Sequence, residues 1–305
     1  MLRPSRLLPI LAMLFAVALA PSATAKVTIG ISDNKPKMFQ DENFQALGLA
    51  NVRIVVPWDG LSYSADRNNL DIWMQGAKAR NAKVLLAFDR SRHGKKNPTA
   101  KKLASSLKAI LKRYPRQIAT VTTWNETNIN EKNKPPKLVA QWYKALIKIF
   151  PRTKVIAADT VDVPSLSDWT KRYLKELKKQ RVPTPKFWGL HNYVDVNNFT
   201  DKRTRGFLKI VKGNVWLTET GGVVERNNGS AQKFRGKGPQ HAADATNYLL
   251  TSMLRRNPRI KYVFLYHWNS DEPSDIASWD SSLISSDGAV RPAYDVVKKF
   301  TSRNR

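Results

Sequence analysis

Two carboxylic acids stand at matched points of this chain. Glu126 follows the run Gln117-Ile118-Ala119-Thr120-Val121 and lies within Thr122-Thr123-Trp124-Asn125-Glu126-Thr127-Asn128. Glu219 follows Val215-Trp216-Leu217-Thr218 and precedes Thr220-Gly221-Gly222. Both runs are apolar and β-branched, the pattern of a buried strand, so each acid falls where a strand ends. Burying such a group without a task costs on the order of several kcal/mol, which places both at an exposed end. Two carboxyls facing each other across a cleft are what cleavage of a glycosidic bond needs. One gives the leaving oxygen a proton; the other, ionised, attacks or stabilises the developing oxocarbenium ion.

Polar and aromatic residues recur at the other strand ends: Asp59, Asp89, Asn125, Asp159, His191, Tyr193, Trp268 and Asn269. Singly, each reads as a cap or turn former. Together they suggest one rim. Arg53 lies inside the apolar run Asn51-Val52-Arg53-Ile54-Val55-Val56-Pro57-Trp58 and needs a buried anionic partner, for which Glu219 is the best candidate. His191 and Tyr193, two apart on a strand, project to one side. Core packing would explain that pair and Trp268 equally well, and a lysine salt bridge would explain either glutamate. The matched pair of glutamates carries the argument.

These residues need a frame that brings distant strand ends together. Strand-like runs fall at 26–31, 51–58, 83–88, 117–121, 154–158, 187–193, 214–218 and 262–268. Helix-forming stretches follow each of them, at 39–49, 71–81, 99–114, 135–150, 166–179, 200–211, 240–256 and 292–300. Strands apolar on both faces and alternating with helices predict a parallel α/β sheet covered by helices. Eight units over residues 26–305, against roughly 250 residues for a typical case, predict a single closed (β/α)8 (TIM) barrel. An open doubly wound sheet should show a glycine-rich turn after its first strand, and Gly30-Ile31-Ser32-Asp33-Asn34 is not one. In the barrel, the fourth and seventh strands face each other across the mouth.

With these motifs in place the chain resembles the (β/α)8-barrel retaining glycoside hydrolases whose catalytic glutamates end strands four and seven, a clan of cellulases, xylanases, mannanases and β-glucanases. The likeness is carried by Trp124-Asn125-Glu126, His191-Asn192-Tyr193, Thr218-Glu219-Thr220-Gly221-Gly222, Trp268, Arg53 and the ending Asp287-Gly288-Ala289-Val290-Arg291-Pro292-Ala293-Tyr294. The resemblance implies Glu126 as general acid/base and Glu219 as nucleophile. It implies Asn125 on the sugar 2-hydroxyl and a Tyr193 hydrogen bond to Glu219. It implies Arg53 beside that glutamate, His191 lining the pocket and Trp268 as the stacking platform for the sugar. An arginine beside one carboxyl lowers its pKa and an apolar wall raises that of the other, which would divide nucleophile from acid. Thr220 departs from the commonest form of the second motif.

Residues 1–25 read as a cleaved export signal: Arg3 and Arg6, an apolar run from Leu7 to Ala20, and Ala23-Thr24-Ala25 before Lys26. The expected product is secreted or held in the periplasm or cell envelope, with no stable membrane insertion. There are no cysteines, so packing rather than disulfides must hold it. Lys and Arg number 52 against 24 Asp and Glu, and removing residues 1–25 lowers the net charge from +28 to +26. Such a charge draws polyanions, though a solvated lysine-rich exterior would look the same. Export favours a carbohydrate over nucleic acid, and an anionic carbohydrate if the basic loop from Glu225 to Gln240 covers the site. Four scattered histidines and no Cys give no dedicated metal site, and no cofactor motif is present. A monomer is expected. The competing reading is a non-catalytic carbohydrate- or envelope-binding barrel that kept the cleft.

Overall fold

The computed structural model describes residues 27–227, 229 and 233–303, so the export signal expected over 1–25 lies outside the described residues. Nine strands form the main sheet: β1 Thr28–Ser32, β2 Asn51–Pro57, β3 Lys83–Asp89, β4 Ile118–Thr122, β5 Val155–Ile156, β6 Asp159–Val161, β7 Phe187–His191, β8 Asn214–Thr220 and β10 Ile260–Tyr266. Their order is β5-β4-β3-β2-β1-β10-β8-β7-β6, with every pairing parallel. β5 lies within the fifth strand expected over 154–158, and β6 continues that strand beyond its expected end. The backbone between them bonds across the gap, Ala157 N–H donating to Phe187 O at 3.0 Å and Gly189 N–H to Ala158 O at 2.9 Å. The sheet therefore closes on itself, as an eight-unit (β/α)8 barrel.

Helices cover the outside, among them α2 Ser64–Ala79, α3 Ala100–Arg113, α4 Pro136–Leu146, α5 Leu166–Lys179 and α10 Pro292–Arg303. Each turns an apolar stripe inward: in α3, Leu103, Leu107 and Ile110 are buried while Lys101, Lys102 and Lys108 are exposed. Alternate strand residues serve two cores. Val84 and Leu86, Val215 and Leu217, Val263 and Leu265 pack against the helices. Leu85, Ile156, Trp216 and Phe264 fill the lower barrel interior.

Glycines make room inside. A Cβ on Gly30 would lie 2.8 Å from the Phe264 ring, and one on Gly189 would lie 1.9 Å from Asp159 Oδ1. Gly189→Ala should therefore push Asp159 out of place and cost about 1–3 kcal/mol, the usual toll of overpacking. Urea unfolding measures this, and an unchanged midpoint would contradict it.

Element ends differ from the sequence expectation where the site lies. The sixth strand stops at His191, and Tyr193 opens the short helix α6 Tyr193–Asn197. The eighth strand runs Ile260–Tyr266 rather than to Trp268. The helix expected over 240–256 begins as α8 Pro239–Asn247 and passes into a π-helical stretch, Tyr248–Met253. In the loop after Glu219, β9 Glu225–Arg226 pairs antiparallel with β11 Trp279–Asp280. Arg291 fixes β11 with a buried bidentate grip on Asp280, both contacts at 2.7 Å. That grip is the structural task of the chain's closing motif. Among the described residues, no helix is long and apolar enough to cross a membrane.

Candidate active site

A cleft of about 460 Å³ opens at the C-terminal end of the strands, the face where such barrels carry their sites. Glu126 and Glu219 both line it, with Asn125, Asp89 and Asp162. β8 carries Glu219 within its last turn of ladder, and Glu219 is opposite His191 of β7. Glu126 follows β4 in a turn. Its φ is +47°, a left-handed conformation that costs a residue with a Cβ on the order of 1–3 kcal/mol. Neighbouring bonds hold it there. Thr127 donates its N–H and its hydroxyl to Asp159 O, both at 2.8 Å, and Lys134 Nζ donates to Glu126 O at 2.6 Å.

Arg53 organises the floor. It is fully buried and fans out to four acceptors. Nη1 donates to Ser32 Oγ at 2.9 Å and makes a short contact with Glu219 Oε1. Nη2 donates to Asn125 Oδ1 and Asp159 Oδ2, both at 2.9 Å. Arg53 thus meets the partner expected of it and a second, Asp159, which the sequence marked only as a strand end. Asp159 also accepts from Thr218 at 2.8 Å and Thr122 at 3.3 Å. Burial would raise its pKa, but the Arg53 charge, the nearby His191 and the Thr218 bond hold it below the usual carboxylate range.

His191 sits beneath the cleft among three carboxylates. Nδ1 is 3.2 Å from Glu126 Oε1 and 3.7 Å from Glu219 Oε2, and Nε2 is 3.8 Å from Asp159 Oδ2. Burial opposes its charge, but the surrounding anions, Glu219 first, push its pKa up to about 10. His191 is therefore an imidazolium at neutral pH. It does not line the open pocket as expected; it is wholly buried under it. Glu126 responds in kind. Burial pushes its pKa up, and the His191 hydrogen bond and charge more than offset this, leaving it below the ordinary value. The apolar wall expected to raise Glu126 is outweighed by a cation the sequence did not place.

Two further expectations are corrected. Trp268 is wholly buried: its indole N–H donates to Asp41 Oδ2 at 2.8 Å and its ring packs edge-on to Phe44. It cannot stack on a sugar. Tyr193 lines the cleft, but its hydroxyl is buried and makes no hydrogen bond to Glu219 or to any other described residue. Leaving the strand for α6 rotates it away from the line that a two-residue spacing implies. The aromatic wall is formed instead by Tyr266, Trp279 and Phe234. Trp279 packs edge-on to Tyr193 with centroids 4.8 Å apart. Trp279 comes from a Ser- and Asp-rich loop with no periodicity, and its one sequence signal is a lone large aromatic among polar residues.

Glu126, His191 and Glu219 offer ligand atoms all within 4.8 Å of one another, a spacing that could also hold a cation. A protonated His191 has no lone pair to give, and Arg53 already occupies Glu219. The same three atoms suit a sugar's reacting centre: two carboxyl groups about 5–5.5 Å apart is the spacing of retaining glycosidases.

Comparison with known proteins agrees with the geometry. A family model described as the glycosyl hydrolase catalytic core matches residues 73–296. No curated protein sequence matches. Solved structures share the fold at low identity. A family 39 glycoside hydrolase from the gut symbiont Bacteroides cellulosilyticus WH2 superposes with a TM-score of 0.59 at 15% identity, over 90% of this chain and 63% of that one. The chain thus spans somewhat under two thirds of that protein's length. The Penicillium canescens endo-1,4-β-xylanase XylE gives 0.62 at 14%, over 92% and 95%. A family 113 β-1,4-mannanase gives 0.54 at 15%, over 92% and 98%.

Proposed function

Because the chain belongs to the family of glycosyl hydrolase catalytic cores, we propose that it is an exported enzyme that hydrolyses O-glycosidic bonds of a poly- or oligosaccharide with retention of configuration. The observation that carries the reading is the approach of Glu126 and Glu219 to within 4.8 Å over one open cleft. Glu219, ionised and held by Arg53, attacks the anomeric carbon and forms a glycosyl-enzyme. Glu126 protonates the departing oxygen and then deprotonates the water that releases the sugar. Asn125, held by Arg53 at 2.9 Å, binds the neighbouring sugar hydroxyl in this reading. The direct test is the first-formed product. Proton NMR of a reaction in progress should show the substrate's anomeric configuration, and an inverted first product would refute the double displacement.

A two-step route needs a proton on Glu126 at neutral pH, and His191 supplies one. The Glu126–His191 pair, 3.2 Å apart, holds a single proton between them and titrates as a unit. Substrate that displaces water from the cleft disfavours the charged pair and moves the proton onto Glu126. kcat/KM should then fall on the alkaline side only as the pair loses its proton, towards pH 10. Removing the imidazole leaves Glu126 to hold its own proton. His191→Gln should therefore move the alkaline limb to lower pH. An unmoved limb would deny His191 this role. The same protonation stabilises the fold: the contribution is complete below the free-imidazole value of 6.5 and is lost as pH rises through about 10.

Residues 1–25 have the composition of an export signal, which supports placement outside the cytoplasm. Mass spectrometry of the exported product should find Lys26 at its N-terminus.

A further inference from the structure

Arg226 is the sole cation among the described residues that line the cleft, and it is uncompensated. Its guanidinium lies over the Phe234 ring, 4.0 Å from the centroid. The adjacent Glu225 is taken by Lys237 at 3.2 Å. Glu225 accepts from the Arg226 backbone N–H at 3.0 Å, but among the described residues no carboxylate pairs with the guanidinium, and the loop residues outside that set, Asn228, Ser230, Ala231 and Gln232, carry none. In the β9–β11 pair Arg226 is opposite Trp279, so both side chains project to one face. A half-buried guanidinium without a counter-ion is a standing cost that an anion would relieve. Burial already depresses its pKa.

A second observation extends the charge beyond the cleft. Arg90, Arg92, Lys95, Lys96 and Lys132 line an open depression of about 890 Å³. Of the five, Arg92 alone is ion-paired among the described residues, to Asp66 at 3.1 Å. Asp89 lines the cleft and Arg90, the next residue, lines the depression, so the two hollows adjoin.

We infer that the cleft takes an acidic polysaccharide, with Arg226 receiving the carboxylate of a uronic-acid residue and the basic depression holding the same polyanion beyond it. The inference rests on the glycoside hydrolase reading of this cleft. One face of the guanidinium is stacked on Phe234, which leaves its N–H edge for a planar carboxylate to meet in a two-point contact. A glycan approaching the acidic floor with its charge turned to Arg226 would be oriented before any bond is strained.

The test uses binding, so that it does not depend on turnover. In a Glu126→Gln background, oligosaccharides of alginate, polygalacturonate, hyaluronan and glucuronoxylan are titrated by calorimetry, each as the acid and after reduction of its carboxyl groups. At least one acid should bind about tenfold or more tightly than its reduced form, a difference of about 1.4 kcal/mol. Arg226→Gln should bring that ratio to near one, and Arg226→Lys should keep part of it; thermal melting checks that both variants fold. If no acid is preferred, or the preference survives Arg226→Gln, the inference falls. A preference that follows sulfate instead, in chondroitin sulfate against its desulfated form, overturns the carboxylate assignment. Turnover of the same panel by the wild type judges the enzyme separately. Hydrolysis without acid preference sinks the inference alone, and acid preference without hydrolysis sinks the enzymatic reading alone.

Discussion

Glu219→Ala should lower kcat/KM on an activated aryl glycoside by about 10⁴-fold or more, the scale seen when a nucleophile is removed. The loss should fall on kcat, because the carboxylate acts on the reacting carbon. The variant should fold, since Arg53 keeps Asp159 at 2.9 Å as its anion. Added azide gives the experiment its resolving power. It can enter the space left by the side chain and attack the anomeric carbon directly, giving a glycosyl azide of inverted configuration. In Glu126→Ala, azide should instead intercept the glycosyl-enzyme and give the retained configuration. The two glutamates would thereby be told apart by product rather than by rate. Activity within tenfold of wild type in Glu219→Ala would remove it from the mechanism.

Arg53→Met should destabilise the fold by about 3–5 kcal/mol, because it leaves Glu219 and Asp159 buried without their shared cation. At this chain length that is a fall in melting temperature of roughly 10 °C. The sign of the pH dependence should also reverse. In the wild type Asp159 is held below its ordinary value, so its contribution is present above that value and lost as pH falls. Without Arg53, the effect of burial on Asp159 is opposed mainly by His191, so the variant should gain stability relative to wild type as pH falls and Asp159 takes up a proton. Adding Asp159→Asn to Arg53→Met should recover part of the loss, since the pair is in contact and not additive. A variant as stable as wild type at pH 8 would mean that the guanidinium is not holding the floor together.

The fold was largely legible because its signals are local and repeated. Eight apolar runs with helices between them have one compact parallel solution, and the cation in the second run announced a buried anion before any partner could be seen. What could not be read was direction. Trp268 and Trp279 look alike in a sequence, yet one is packed on Phe44 and the other faces the cleft. The first lies just beyond the strand's last residue, Tyr266, where the chain turns into the wall; the second is carried over the mouth by a two-residue ladder that no periodicity marks. Tyr193 was misplaced for a related reason. Strand alternation fixes the side only while the strand lasts, and this one ends two residues earlier.

By itself, then, the sequence determined the barrel, the positions of Glu126 and Glu219 at two strand ends, and the pairing of Arg53 with an acid. Hydrophobic period and the cost of a lone buried charge settle such matters within a few residues of chain. Only the tertiary structure decided the charge state of the site. His191 becomes a cation because three carboxylates from three different segments converge on it, Glu126, Asp159 and Glu219. Likewise the Arg226 guanidinium is left without an acid partner among the described residues because the loop folds it over Phe234. Electrostatic energies depend on distances across the barrel, and no spacing along the chain encodes those.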